Sequence, residues 1–126
     1  MGRNRISESE WTVMEKIWEL HPVTAADVVS SLEGTADWKG QTIRTLLTRL
    51  VKKQFVRMFQ REKLYLYEPL LEREQVVEEE SEGFLHRVFA GSAMPLMLHF
   101  VKQGKLSSQE RDELMRALKD METSDE

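Results

Sequence analysis

Residues 38–56 read WKGQTIRTLLTRLVKKQFV, and this stretch decides the fold. Its apolar residues recur at positions i, i+3, i+4, i+7 and i+8, which is the spacing of one face of an α-helix. At about 100° per residue, the opposite face carries only Gln, Thr, Arg and Lys. The stretch therefore predicts an amphipathic helix that begins around Gly40 or Gln41 and ends near Gln54. Its inner face consists of Ile43, Leu46, Leu47, Leu50 and Val51.

Two segments after this helix show the period-two alternation of β-strands. They are Phe55–Gln60 and Leu64–Pro69, and both contain β-branched or aromatic residues. The short charged segment 61–63 connects them, so the pattern predicts a β-hairpin.

Two further helices are predicted upstream. Ser7 and Glu10 have the spacing of a capping box, and apolar residues follow them at helical intervals. Thr24 begins a second helix, which Gly34 ends. Three helices followed by a hairpin make up a winged helix-turn-helix, and we assign this DNA-binding domain to residues 1–71. The predicted fold class is mainly α with a small β-hairpin.

Residues 72–126 form a second predicted region, a set of three helices. The middle helix, which contains Met94–Val101, is apolar on nearly all sides. So small a region cannot bury that surface alone, so we expect it to form a homodimer with a second copy of the chain. The predicted dimer interface consists of Phe84, Leu85, Val88, Phe89, Leu96, Leu98, Phe100, Leu114 and Leu118.

The charge of the chain is unevenly distributed. The net charge is −4, but residues 38–67 hold eight Lys or Arg side chains against Glu62 alone, a net of +7. Residues 71–126 hold 7 basic and 13 acidic side chains, a net of −6. A phosphate-binding surface needs a local positive potential rather than a positive total, so the distribution favours double-stranded DNA as the partner of the first half.

In a winged helix-turn-helix the third helix enters the major groove and the wing follows the backbone. Gln41, Thr42 and Thr45 are placed for base edges, whereas Arg44 is placed for a guanine or a phosphate. The full predicted set is Gln41, Thr42, Arg44, Thr45, Thr48, Arg49, Lys52, Arg61 and Lys63. The alternative is a solvated helix face in a module that binds protein. Trp38, just before the helix, either fills the core or stacks on the DNA backbone.

Several other classes of function are disfavoured. The chain has no cysteine, which excludes disulfides and thiolate metal sites, and its three histidines share no metal-ligand spacing. No cofactor or metal is expected. Gly-rich phosphate loops, HExxH and GxSxG are missing, so we expect no enzyme. The N-terminal sequence lacks the apolar core of a signal peptide and no run approaches a membrane span, so the expected location is the cytoplasm.

Three strings carry a resemblance to a known family. They are ISESEWTVM at 6–14, WKGQTIRTLLTRL at 38–50, and Phe100-Val101 ahead of Leu106-Ser107. From Ile6 to Asp120 the chain resembles, in register, the BlaI/MecI penicillinase-repressor family. The resemblance implies a dimeric winged-helix repressor that binds palindromic operators ahead of β-lactamase or penicillin-binding-protein genes. It also implies a membrane sensor metalloprotease whose response to β-lactams leads to cleavage of the repressor and its release from DNA.

The chain departs from the family pattern at two places, and it lacks the hallmark of one branch. Studied members are cleaved between an Asn and a Phe, and the matching bond here is His99-Phe100, with His in place of Asn. An alternative role for His99 is a hydrogen-bonded structural residue in a packed helix. Gly40-Gln41 replaces the common Pro-Lys, which bears on base preference. The copper-responsive branch carries a C-terminal cysteine cluster, and this chain has no cysteine.

The resemblance thus implies a dimeric repressor released by proteolysis in response to a cell-wall or β-lactam signal. The alternatives are a ligand-sensing winged-helix regulator and a protein-interaction module, neither of which depends on cleavage.

Overall fold

The computed structural model describes residues 5–34 and 37–124. Six helices and one hairpin follow one another along these residues, and the fold class is mainly α with a two-stranded antiparallel sheet, as predicted. The elements are α1 (Glu8–Leu20), α2 (Ala25–Leu32), α3 (Gly40–Lys52), β1 (Val56–Arg61), β2 (Leu64–Pro69), α4 (Arg73–Phe89), α5 (Met94–Lys102) and α6 (Ser108–Ser124). The third helix ends at Lys52, two residues before the predicted end.

The chain divides into two compact units, Met1–Glu80 and Ser81–Glu126. The first unit includes the start of α4 because Val76 is buried in its core at 1% exposure. Helix α4 therefore belongs to both units.

The core of the first unit is formed by the inner faces of α1, α2 and α3 and by the start of the hairpin. Each large aliphatic side chain removed from water there stabilises the fold by about 1.5–3 kcal/mol. The three tryptophans are half-buried against this core, and the indole nitrogen of Trp18 donates a hydrogen bond of 2.9 Å to the carbonyl of Leu71. The fully buried apolar side chains are Val13, Met14, Ile17, Val28, Leu32, Ile43, Leu47, Leu50, Phe55, Val56 and Val76.

Helix α1 begins with the predicted capping box. Glu10 N donates to the Ser7 hydroxyl at 3.1 Å, and Ser7 N donates to a Glu10 carboxylate oxygen at 2.8 Å. The hydroxyl of Thr24 caps α2 by accepting a hydrogen bond from Asp27 N at 3.1 Å. Both helices therefore begin where the sequence pattern places them, because side-chain oxygens satisfy amides that have no partner inside the helix.

The hairpin turns over two residues rather than three. Arg61 pairs with Leu64, so the turn consists of Glu62 and Lys63, which have φ values of 50° and 72°. Two positive φ values in succession are typical of the tight turn that matches the right-handed twist of the strands. An isolated bridge between Val23 and Tyr67 ties the base of the hairpin to the segment before α2.

The second unit leaves much apolar surface in contact with solvent. Helix α5 has no buried residue, and α6 begins with a capping box in which Glu110 N donates to the Ser107 hydroxyl at 3.1 Å. Among the described residues no single helix is both long and apolar enough to span a membrane; α4 and α5 meet the length and composition criteria only as a bent pair. The exposed large apolar residues of this unit are Phe84, Val88, Met94, Leu98, Phe100, Val101, Met115, Leu118 and Met121.

Candidate nucleic-acid interface

Helix α3 presents the polar face that its sequence predicts. Its apolar side chains Ile43, Leu46, Leu47 and Leu50 are at most 4% exposed, because they pack against α1 and α2. Every predicted contact residue on the helix lies on the solvent side. These exposed residues are Gln41, Thr42, Arg44, Thr45, Thr48, Arg49 and Lys52.

Two threonines on this face have their hydroxyl protons engaged. Thr45 Oγ1 donates to the Gln41 carbonyl and Thr48 Oγ1 donates to the Arg44 carbonyl, both at 3.0 Å. A hydroxyl bound back to the preceding turn has already donated its proton, although its lone pairs can still accept. The methyl groups therefore remain the apolar features through which Thr45 and Thr48 can contact a base.

The N-terminal end of α3 carries an exposed cation that the predicted contact set omitted. Lys39 is the N-cap residue, and it forms no side-chain capping bond. The first amides of a helix have no partner in an earlier turn, and the helix dipole is positive there, so Lys39 adds charge to an end that already favours anions. The count of basic residues in segment 38–67 already included Lys39, so the sequence indicated its contribution to the positive charge.

Two of the eight cations in the basic segment are neutralised inside the chain. Lys53 Nζ lies 2.7 Å from Glu10 Oε1, and Arg57 Nε donates to Glu68 Oε1 at 2.8 Å. The guanidinium carbon of Arg57 also lies 4.5 Å from the ring centroid of Phe59. Within residues 5–34 and 37–124 the other six cations have no ion-pair partner. They are Lys39, Arg44, Arg49, Lys52, Arg61 and Lys63.

The wing supplies the second part of this basic surface. Arg61 ends β1, Lys63 lies in the turn, and both side chains are exposed. Burial decreases along the hairpin, from Val56 at 1% exposure to Tyr65 at 57%. The hairpin is therefore anchored at its base and free at its basic tip.

Tryptophan 38 is half-buried and packs against the core of the first unit. Of the two roles predicted for it, the structure supports core filling rather than stacking on DNA.

The predicted cleavage bond lies inside α5. His99 is exposed, its ring centroid is 5.7 Å from that of Phe100, and it forms no side-chain hydrogen bond within the described residues. The alternative that His99 is a hydrogen-bonded residue of a packed helix is wrong for the single chain, because α5 has no buried residue. Phe100 is itself 43% exposed.

The predicted dimer residues lie on all three helices of the C-terminal region. Leu85, Phe89, Leu96 and Leu114 are half-buried, whereas the rest of the set is exposed. The exposed members are Phe84 at 38%, Val88 at 53%, Leu98 at 47%, Phe100 at 43% and Leu118 at 47%. Their role as an interface stays a prediction.

The chain is similar to known repressors along most of its length. The family model of penicillinase repressors matches residues 6–120. The methicillin resistance regulatory protein MecI of Mammaliicoccus sciuri is 35% identical over 113 residues, which cover 90% of this chain and 92% of MecI. The penicillinase repressor of Staphylococcus aureus is 32% identical over 116 residues, 92% of each chain. The structure of Bacillus licheniformis BlaI, a monomeric form in complex with the blaP half-operator, aligns with a TM-score of 0.52 and 29% identity, over 58% of this chain and 89% of that chain.

Proposed function

The chain belongs to the penicillinase repressor family, and we propose that it is a transcriptional repressor that binds DNA through α3 and the wing. The observation that supports this most strongly is the exposed face of α3. Its side chains are polar or basic, while the opposite face is buried in the core. Charge and hydrogen-bonding capacity therefore face outward on a rigid element, as a major-groove reader requires. The protein acts by binding rather than by catalysis, and it works where the chromosome is, in the cytoplasm.

The contact residues divide into two groups. Gln41, Thr42 and Thr45 lie near the N-terminal end of α3 and read base edges, with Gln suited to adenine and the Thr methyls suited to thymine. Arg49, Lys52, Arg61 and Lys63 hold phosphates, which fix the register without reading the sequence. Arg44 contacts a guanine or a phosphate. Lys39 joins the phosphate group because it is exposed at the N-cap of α3.

The operator is palindromic, and the repressor binds it as a homodimer. The apolar side chains left exposed on α4, α5 and α6 support this arrangement, because a second copy would remove them from water. Two tethered half-site contacts bind far more tightly than one. The half-sites then lie about one or two helical turns apart.

Cleavage in the dimerisation region releases the repressor. A cut at His99-Phe100 would detach α6 and the end of α5, and with them the apolar residues Leu114 and Leu118. The protease is a membrane sensor metalloprotease that responds to a cell-wall or β-lactam signal. A chain that ends at His99 is expected to lose the dimer and to bind the operator more weakly than the full chain. Equal dimerisation and binding by the two chains would refute the cleavage mechanism.

A binding titration tests the function as a whole. We expect fluorescence anisotropy to show that the full chain binds DNA from upstream of its own gene more tightly than a scrambled duplex of equal length. Raising the salt from 50 to 200 mM should lower both affinities by about 10³-fold or more if six or more phosphates are neutralised. Salt-independent binding, or none, would reject the proposed function and favour a protein-interaction module.

A further inference from the structure

A surface groove of about 480 Å³ lies between the wing and helices α2 and α3. Helix α2 contributes Ala25 and Ala26, and the wing contributes Met58, Leu64 and Tyr65. Arg44 of α3 and Lys63 of the turn are the two cations that line it. The volume falls within the range of small-molecule sites, which is about 300–1,000 Å³.

The apolar part of this groove has no role in the proposed contacts to DNA. Met58, Leu64 and Tyr65 are 46%, 56% and 57% exposed, so they are not needed to form the core. A phosphate is bound by charge and by hydrogen-bond donors. The thioether of Met58 and the isobutyl group of Leu64 supply neither, and in Tyr65 only the hydroxyl can donate. The wing therefore holds apolar surface in water beside two cations.

Both cations are available to a ligand. Within residues 5–34 and 37–124 neither the Arg44 guanidinium nor the Lys63 ammonium has an ion pair or a hydrogen-bond partner. By contrast, Arg57 on the same hairpin is paired with Glu68. The groove thus combines unpaired positive charge with apolar walls, which is complementary to an anion that has an apolar body.

We propose that this groove binds a small organic anion with an aromatic ring or a branched aliphatic chain. The carboxylate or sulfonate of the ligand pairs with Arg44 and Lys63, and its apolar part lies against Met58, Leu64 and Tyr65. Arg44 and Lys63 are also assigned to DNA, so ligand and operator compete; this competition rests on the proposed function, whereas binding of the anion does not.

Binding is tested by ¹H–¹⁵N NMR on the full chain with 2-naphthoate as the probe. We expect shift changes centred on Ala25, Ala26 and Leu64, and a Kd of about 1 mM, given the small number of ligand atoms. The neutral isostere 2-naphthamide should bind at least about fivefold more weakly, because it lacks the charge that pairs with the two cations.

Three variants define the site. Arg44→Gln should weaken naphthoate binding at least about fivefold by removing a charge, and Leu64→Ser should weaken it by removing an apolar wall. Lys39→Gln is the matched control, since it removes an exposed cation outside the groove and should leave naphthoate binding unchanged. All three side chains are exposed, so circular dichroism should report an unaltered fold.

Several results would overturn the proposal. They are the absence of localised shifts up to about ten times the expected Kd, shifts confined to Ser81–Glu126, equal binding of naphthoate and naphthamide, and an Arg44→Gln variant that binds like the parent. The last two would show that the apolar surface alone attracts the probe.

Competition is measured by anisotropy on upstream DNA. Naphthoate at ten times its Kd should raise the apparent Kd for DNA by at least about tenfold, which is the effect of one occupied groove, while acetate at the same concentration controls for ionic strength. Naphthoate binding with unchanged DNA affinity would overturn the competition. A chain that fails to bind DNA without naphthoate would overturn the proposed function instead.

Discussion

Lys53 Nζ lies 2.7 Å from Glu10 Oε1, and this contact joins the C-cap of α3 to the first turn of α1. Glu10 is 1% exposed and also closes the capping box with Ser7, so one carboxylate serves two helix ends. Lys53 Nζ donates a further hydrogen bond of 2.9 Å to the Arg5 carbonyl. The contact therefore fixes the orientation of α3 relative to α1 at the C-terminal end of α3, away from the N-terminal residues that are proposed to contact base edges.

Replacing this carboxylate should destabilise the fold. Glu10→Gln keeps an oxygen for Ser7 N but leaves Lys53 without its counter-ion, and we expect a loss of about 1–3 kcal/mol. The free energy of unfolding of the variant and of the parent is measured by urea denaturation. Glu19→Gln is the control, because Glu19 pairs with Lys16 on the exposed surface and should cost less than about 1 kcal/mol. Equal losses of unfolding free energy for the two variants would show that the Glu10 contact stabilises the fold no more than a surface ion pair does.

Acid should remove the same contribution. Burial alone would raise the pKa of Glu10, but the hydrogen bonds from Lys53 and Ser7 outweigh it and hold the pKa below its ordinary value of 4.5. A carboxyl with a depressed pKa contributes stability that is complete above 4.5 and disappears as the pH falls through the folded-state pKa. Between pH 7 and pH 3, urea denaturation should therefore show the free energy of unfolding of the parent chain approaching that of Glu10→Gln. A difference in unfolding free energy between the two chains that stays constant below pH 4.5 would contradict the lowered pKa of Glu10.

The back-bonded hydroxyl of Thr45 predicts which part of that side chain reads DNA. Because its proton is donated to the Gln41 carbonyl, we expect the methyl group rather than the hydroxyl to contact a base. Thr45→Val should keep most of the discrimination between operator and scrambled DNA, whereas Thr45→Ser should lose about 1 kcal/mol of it. Anisotropy titrations on the operator and on the scrambled duplex give the ratio of the two affinities for each variant. Better discrimination by the Ser variant would mean that the hydroxyl makes the contact.

The exposed apolar surface of α5 predicts an effect on assembly. Leu98→Glu places a charge on a side chain that is 47% exposed in the single chain, so the fold should survive while the dimer is lost. Light scattering should give a mass near 14.8 kDa for this variant and twice that for the parent. Leu70→Glu, at 50% exposure in the first unit, should remain dimeric. If the Leu98→Glu variant remains a dimer, α5 does not contribute to the interface.

Local patterns predicted the elements because each depends on neighbouring residues. The spacing of Ile43, Leu46 and Leu50 predicted α3, and the Ser7 and Glu10 pair predicted the start of α1. The count of basic residues was a less reliable guide to which cations face solvent without an ion-pair partner. It included Lys53 and Arg57, whose partners lie 43 and 11 residues away in the sequence. Such pairs depend on the packing of helices and on strand register, which residue spacing does not determine.

The groove beside Arg44 was missed for the same reason. Its lining comes from α2, α3 and both strands, and each contributing segment looks ordinary by itself. Alternation predicted the hairpin but not that its tip extends away from the core, which leaves both Leu64 and Tyr65 more than half exposed. Only the assembled unit brings these side chains next to the guanidinium of Arg44.

The central claim, that the outer face of α3 reads DNA, is tested most directly by comparing Arg44→Ala with Lys52→Ala in anisotropy titrations. Each variant is measured on upstream and scrambled duplexes over a range of salt. Lys119→Ala, which removes an exposed cation from α6, is the control and should match the parent. Arg44→Ala should lose about 1–3 kcal/mol of discrimination, while Lys52→Ala should weaken both duplexes alike and reduce the salt slope by about 1. Parental affinity, discrimination and salt slope in both variants would contradict the account.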